Sequence, residues 1–560
     1  MVLRWRYGLG RSARPKWMGG MGRRKMPLGS KFAEDLNSAL QQRQIARGEA
    51  LLDRAEAELA RLGPETPAAG ALLLLLAQWV DAGYRDYHLV ERLLANFPAK
   101  SRKRLATEDY LRVRMAEAFR DFATEKMDAA IDTLDFVLRM EQDLPDESLA
   151  SLAHFWKGRA LRKKGAYEAA YQDIVRAREL SHKARDGAKF TAVIQIQEGW
   201  LLFQKGLRKE ALRLLGHAES VLKATDHYTA LGNIESARGR IVRRAGEYSK
   251  ALVHFERAVA IYSQGDPEQR NVARTLVNAA YVKRLLALQL RRRIEGRARG
   301  AARMPLAGRG DLRARYQQIS DEAIADLQRA QTLYAALANQ IGKGNAMFNL
   351  GYLHLDRGEM DHAALEAAES YRIGFENGDK ILMARARILQ AATENARVEE
   401  EMEEDVDLAV HANLARQYSD EALELAQHTQ NRRLHAVACI ARGMTAANEF
   451  FQDWDTARRF ASDATDLIGQ GDNDHLVDDL AALKSKVVRA SGINDALRGW
   501  SEGMVGDKTF QQITEEFAEI VIPKVWLREG KKISRVAECL SVSPKKVRRI
   551  LRNAGLLSHA

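Results

Sequence analysis

Cysteine is nearly absent. The 560-residue chain has two, Cys439 and Cys539, lone and far apart. That excludes a disulfide framework and a thiolate zinc site. Both fall on apolar helical stripes, so inert core thiols in a reducing cytoplasm are expected. Proline (10 residues) and aromatics (7%) are also scarce, which disfavours a sandwich or barrel and favours helix. Leu72 to Leu76 is a short apolar run, far below the roughly 20 residues that span a bilayer. The basic N-terminus leads into Gly19-Gly20-Met21-Gly22 instead of an apolar signal core, and Arg23-Arg24 lacks the apolar stretch of a twin-arginine signal.

Catalytic motifs are missing as well. Gly342-Lys343-Gly344 lacks the spacing and the Ser or Thr of a phosphate loop. No HExxH, nucleophile elbow or GxGxxG stands anywhere. His154, His217 and His254 sit inside repeats and read as packed or surface residues. Gly471-Asp472-Asn473-Asp474-His475 lacks the central Gly and closing Glu of a calcium loop and reads as a helix start. The expectation is a chain that is not an enzyme, with no cofactor and no metal.

What is present is charge in islands. The formal net charge is +12. Residues 1–33 hold nine Lys or Arg and no acid, while 283–313 and 524–552 each hold ten basic and two acidic side chains. The rest of the chain is therefore net acidic, which fits local polyanion contact better than a wholly basic nucleic-acid wrapper. Residues 1–32 read as a basic disordered extension, in which Met18, Met21 and Met26 are alternative starts.

Between the ends one pattern recurs. Gly199, Gly206, Ala211, Leu215 and Ala218 have the same offsets as Gly239, Gly246, Ala251, Phe255 and Ala258. Gly158, Gly165, Ala170, Ile174 and Ala177 repeat them, as do Gly351, Gly358, Ala363, Ala367 and Ser370. Glycines 165, 206 and 246 lie 41 and 40 residues apart. Such a unit is two helices: a small residue where helix A meets its partner, a Gly that ends it, and an apolar stripe on helix B. Weaker copies run through Phe119, Ala130 and Leu134, and through Gly443, Trp454, Ala457, Ala461 and Ala464.

The pattern resembles tetratricopeptide repeats in their longer form, with Tyr167 and Tyr248 at that family's aromatic position. The resemblance implies an all-α solenoid over 33–490, whose groove takes a protein or peptide partner. Asn278, Asn349 and Arg385 are groove candidates. Two loops are expected inside the array: a basic one at 294–312 and an acidic one at 398–407, which could compete with DNA for the C-terminal cations. Arg291, Arg292, Arg293, Arg297 and Arg299 are a second candidate for nucleic-acid backbone contact.

A linker is expected at 491–507. Beyond it, Lys532 to Leu556 reads as a short helix, a tight turn and a basic helix. Ile533, Val536, Ala537 and Leu540 share one face, as do Val547, Ile550 and Leu551. Ser543 suits an N-cap and Pro544 the first helical position. With the stripe buried, Lys545, Lys546, Arg548, Arg549 and Arg552 remain outside, a cationic face that suits the major groove.

From Phe510 to Leu557 the segment resembles the Fis-type helix-turn-helix of many bacterial regulators, including a leading helix from Phe510 to about Glu529. The resemblance implies double-stranded DNA binding as a homodimer, the leading helix pairing the subunits. Ser543, Lys545, Lys546 and Arg549 would then meet bases or phosphates. Ser541 stands where the turn commonly has Gly, so the backbone there must avoid or tolerate a left-handed conformation. Pro544 stands where an Arg or Lys often reads DNA, so one base contact is expected to be absent and specificity to be weak. The chain reads as a cytoplasmic transcriptional regulator. The alternatives are an interaction scaffold whose tail docks protein, and an RNA-associated adaptor.

Overall fold

Helix dominates because Ala, Leu, Arg and Glu recur at helical spacing and proline almost never interrupts. In a computed structural model the described residues are 30–84, 86, 88–140, 147–183, 187–299, 307–400, 408–429, 431–469, 473–490, 500, 503, 505–553 and 556–557. Helices α1 to α5 are Ser30–Gln41, Ile45–Leu59, Ala69–Ala82, Leu89–Leu94 and Ala99–Arg102. Antiparallel pairs follow: α6 Thr107–Ala123 with α7 Met127–Leu138, and α8 Glu147–Lys164 with α9 Tyr167–Lys183. Next come α10 Ala188–Gln204 with α11 Arg208–Leu222, and α12 Tyr228–Arg244 with α13 Tyr248–Gly265. Then α14 Arg270–Arg299 pairs with α15 Ala307–Ala336, and α16 Gln340–Asp356 with α17 Met360–Glu376. The series continues as α18 Lys380–Glu400, α19 Leu408–Gln427, α20 Arg432–Ala446, α21 Trp454–Leu467 and α22 His475–Ala490. Three tail helices end it: α23 Phe510–Arg528, α24 Ile533–Cys539 and α25 Pro544–Asn553. The fold is all-α, with no strand among the described residues, and its helix pairs stack as a tetratricopeptide-like solenoid.

The repeat register has a physical cause at each position. Gly165, Gly206, Gly246 and Gly358 all have φ between 77° and 86°, the left-handed turn that ends helix A. Gly239 lies so close to its partner helix that an added Cβ would come 2.8 Å from the Phe255 ring. The helix B residues Ala170, Ile174, Ala177, Ala211, Leu215 and Ala218 are fully buried. Burial of each large apolar side chain contributes about 1.5–3 kcal/mol.

The chain divides into two compact units: residues 1–386 with 425–431 and 469–474, and residues 387–424, 432–468 and 475–560. In the first unit, contacts distant in sequence close the array on itself. Asp226 accepts from the Ile45 and Ala46 amides, and His227 Nε2 meets the Ala82 carbonyl at 3.1 Å. In the second unit, Asn395 donates to Thr445 and Arg387 pairs with Glu421.

Several expectations are corrected. The array begins before residue 33, since α1 starts at Ser30 and Phe32 is already in the core. The basic loop expected at 294–312 is helical at both ends, in α14 up to Arg299 and in α15 from Ala307. Its Ala, Arg and Leu residues are strong helix formers, which offset the Gly penalty of about 1 kcal/mol each. The acidic loop expected at 398–407 is helical up to Glu400, and 401–407 lie outside the described residues. So do 1–29, 300–306 and 491–499, which hold most of the expected extension, the centre of the basic insert and much of the linker. Cys439 is buried, but Cys539 is exposed and no core thiol.

Candidate nucleic-acid interface

The leading helix of the tail starts from a complete capping box. The Thr509 hydroxyl accepts from the Gln512 amide, and the Gln512 side chain accepts from the Thr509 amide. One face of this helix supplies Ile522 and Trp526 to a small core. Val536 and Ala537 of α24, with Val547, Ile550 and Leu551 of α25, complete it. Ile533 and Leu540 pack at its edge, so both apolar stripes read from the sequence meet in one cluster. Every member lies between residues 518 and 557.

The turn between α24 and α25 runs through Ser541 at φ 51°, so a non-glycine residue adopts the left-handed conformation here. The Val542 amide donates to the Ala537 carbonyl at 3.0 Å, which closes the turn. The Ser543 hydroxyl accepts from the Lys546 amide at 3.2 Å and caps α25. Burial of the stripe leaves Lys545, Arg548, Arg549 and Arg552 exposed on α25, with Lys546 half-buried.

One neighbour of these cations was missed in the sequence. Glu515 of α23 forms an ion pair with Arg549 and lies 3.5 Å from the Lys546 ammonium. A carboxylate thus occupies part of the face read as phosphate-binding. Spacing alone gives no signal for this, because Glu515 is 34 residues from Arg549. On α23, Phe510 and Phe517 are exposed at helical spacing, with Ile513 half-buried between them.

The second candidate is more scattered. Arg291 of α14 donates to the Asp356 carbonyl at 2.9 Å, while Arg292 and Arg293 are exposed. Arg297 and Arg299 fall in the last turns of α14, and their side chains lie outside the described set. Among the groove candidates, Arg385 donates to Asn345 at 3.0 Å. Asn278 and Asn349 donate back to carbonyls of their own helices, those of Arg274 and Asn345.

The repeat histidines have local partners. His154 Nδ1 meets Asp173 at 2.6 Å, His217 meets Gln195 at 2.8 Å, and His254 meets Glu235 at 2.8 Å. His354, Glu359 and His362 at the α16–α17 turn were not singled out. Their ligand atoms lie within 4.8 Å of one another, and such a trio could hold a metal ion. The hydrogen bond from His354 holds the Glu359 carboxyl below its usual range. No helix among the described residues is long and apolar enough to cross a membrane.

No protein-family profile matches the chain, and no curated protein matches its sequence. Solved structures with a similar arrangement include a Rap protein complexed with competence and sporulation factor, at 13% identity and a TM-score of 0.46. That match covers 81% of this chain and 100% of the Rap chain. A monomeric IFIT1 mutant with Gppp-AAAA gives 11% and 0.45, covering 78% and 95%. The apo quorum sensor NprR from B. thuringiensis gives 14% and 0.37, covering 78% and 98%. None reaches a TM-score of 0.5, so the functional reading rests on the residues of this chain.

Proposed function

We propose that this chain is a cytoplasmic, non-catalytic regulator whose C-terminal three-helix tail binds double-stranded DNA and whose repeat array binds a protein or peptide partner. The observation that carries the DNA reading is the division of α25 into two faces. Val547, Ile550 and Leu551 are buried, which leaves Lys545, Arg548, Arg549 and Arg552 exposed beside a Ser543-capped N-terminus. A helix held from behind by two others and cationic in front suits the major groove of a duplex. The exposed Phe510 and Phe517 on α23 suit pairing of two copies, as the Fis-type resemblance implies.

One observation favours a second reading. The contact of Glu515 with Lys546 and Arg549 shows that this face accepts a carboxylate, as an acidic protein surface would supply. The two readings differ in salt response, because phosphate contacts release condensed counterions. Titration of duplex DNA with the full chain at two salt levels tests this. Binding at low salt that fades steeply supports the regulator, whereas no binding at low salt removes it.

A further inference from the structure

The first unit holds a second cationic group, away from the tail. On α8, Arg162 and Lys163 follow the repeat Gly158, and on α12 Arg240 follows Gly239. From α14, Arg270 and Arg274 join them. Bridges hold Lys163, Arg270 and Arg274 in place. Glu125, between α6 and α7, binds Lys163 at 3.0 Å and also pairs with Arg270, 145 residues away in sequence. Arg274 donates to Asn233 at 2.9 Å, and Asn233 also accepts from the Tyr262 hydroxyl at 2.8 Å.

The two remaining guanidiniums, both half-buried, form no ion pair among the described residues. Arg162 lies over the Trp200 ring, 4.7 Å from its centroid, and its Nε has no hydrogen-bond partner. Arg240 has neither an ion pair nor a hydrogen bond among the described residues. Of these five cations, Lys163 and Arg270 share the Glu125 carboxylate, while Arg162, Arg240 and Arg274 form no ion pair among the described residues.

Burial first, and neighbouring cations second, lower the pKa of Arg162, Lys163 and Arg240. Burial, then Arg274 and Arg162, push Arg240 down to about 9. Burial, then Arg274 and Arg159, push Arg162 down to about 10. Lys163 is pushed down to about 7 by burial and Arg270. Burial also opposes the Glu125 carboxylate, but Arg270 and Lys163 hold it ionised. Like charges gathered without counterions destabilise a fold, and a ligand that supplies the missing anion removes that penalty.

We propose that Arg162, Lys163, Arg240, Arg270 and Arg274 form a binding site for a small polyphosphate. The site goes beyond the reading of the tail and does not depend on it. The charge density favours phosphate over an acidic peptide. An extended peptide offers at most one carboxylate every 3.3–3.6 Å or so, whereas each phosphate unit presents several oxygens to guanidinium forks. The phosphate chain of a nucleotide and free inorganic polyphosphate share this chemistry.

Calorimetric titration of the full chain with inorganic tripolyphosphate, ATP and penta-glutamate tests the assignment. Tripolyphosphate is expected to bind at low salt and weaken as salt rises. Tighter binding of ATP assigns the site to a nucleotide, and equal or weaker binding assigns it to the inorganic chain. Arg240→Gln and Arg162→Gln should each weaken binding by about tenfold or more. Arg240→Lys, which keeps the charge but loses the fork, should weaken it less. The melting temperature of the free Gln variants should hold or rise, since repulsion is relieved; a purely structural role would lower it and leave binding unchanged. Absence of binding by both phosphates, affinity unaltered by the Gln variants, or binding of penta-glutamate alone overturns the proposal.

Discussion

The salt response of DNA binding can be worked out from α25. Four of its cations, Lys545, Arg548, Arg549 and Arg552, are exposed. If each neutralises one phosphate at ~0.9 counterion released, log affinity falls with log salt at a slope of about −3.6 per tail. A fourfold rise in salt then weakens binding by about 150-fold. Reversal of Arg548 and Arg549 to Glu removes two of the four contacts, so the slope should shrink to about −1.8 or less. Fluorescence anisotropy of a labelled duplex against the full chain, over a series of salt concentrations, reads both numbers. Arg549→Glu also sets a second carboxylate beside Glu515. Arg548→Gln with Arg549→Gln therefore serves as the companion that leaves folding nearly unchanged, as surface substitutions usually do within about 0.5 kcal/mol. A slope that is the same in all three proteins would refute the placement of these side chains on DNA, and a flat slope in the parent would remove phosphate contact altogether.

Glu515→Gln should raise DNA affinity by about 1.4- to fivefold, since ion pairs this exposed are worth only about 0.2–1 kcal/mol; unchanged or weaker binding in the same anisotropy assay means the carboxylate does not compete with DNA. Ala537→Phe should overpack the tail core by about 1–3 kcal/mol, which would expose Trp526 and abolish DNA binding while the main melting transition stays put; retained DNA affinity contradicts the packing. Lys163→Met should flatten the pH dependence of stability. Lys163 falls from 10.5 to about 7 on folding, with Arg159, Arg270 and Glu125 around it. Between those values the unfolded chain holds more protons, so the parent gains stability as pH rises and the variant should not. Thermal melts at pH 7, 8 and 9 that run parallel in both proteins would count against this environment.

Helical periodicity made the cores legible. Ala170, Ile174 and Ala177, or Val547, Ile550 and Leu551, recur at a spacing that only a buried helix face explains. Glycine marked the turns, because the left-handed corner after helix A tolerates little else. Cys539 misled because α24 is only seven residues long and ends at that residue. A stripe that short has little width, and only Val536 and Ala537 are buried. The basic insert misled because its glycines suggested a loop where Ala and Arg continue the helix. The contact between Glu515 and Arg549 was illegible because it depends on how α23 and α25 pack, which no local spacing encodes.

The cation cluster of the array shows what periodicity leaves out. In each repeat the Gly and Ala positions answer to packing, which is the same in every copy, so they repeat. The positions between them on helix A answer to nothing in the repeat itself. After Gly158 the positions one, four and five along hold Arg159, Arg162 and Lys163; after Gly239 they hold Arg240, Arg243 and Arg244. After Gly199 the same positions hold Trp200, Phe203 and Gln204. Packing does not demand this alternation, and the intervening repeat receives it: Arg162 stacks on Trp200, while Arg244 lies over Phe203 and donates to Gln204 at 2.7 Å. Two cationic repeats thus flank one that is aromatic and amide-bearing. Closure of the array through Glu125 then brings in Arg270 from α14. A solenoid that used these helices only to stack would be more stable with neutral side chains there. Retention of the cations where they repel one another is therefore an argument for a ligand, and the stability of the Arg240→Gln variant without that ligand weighs it directly.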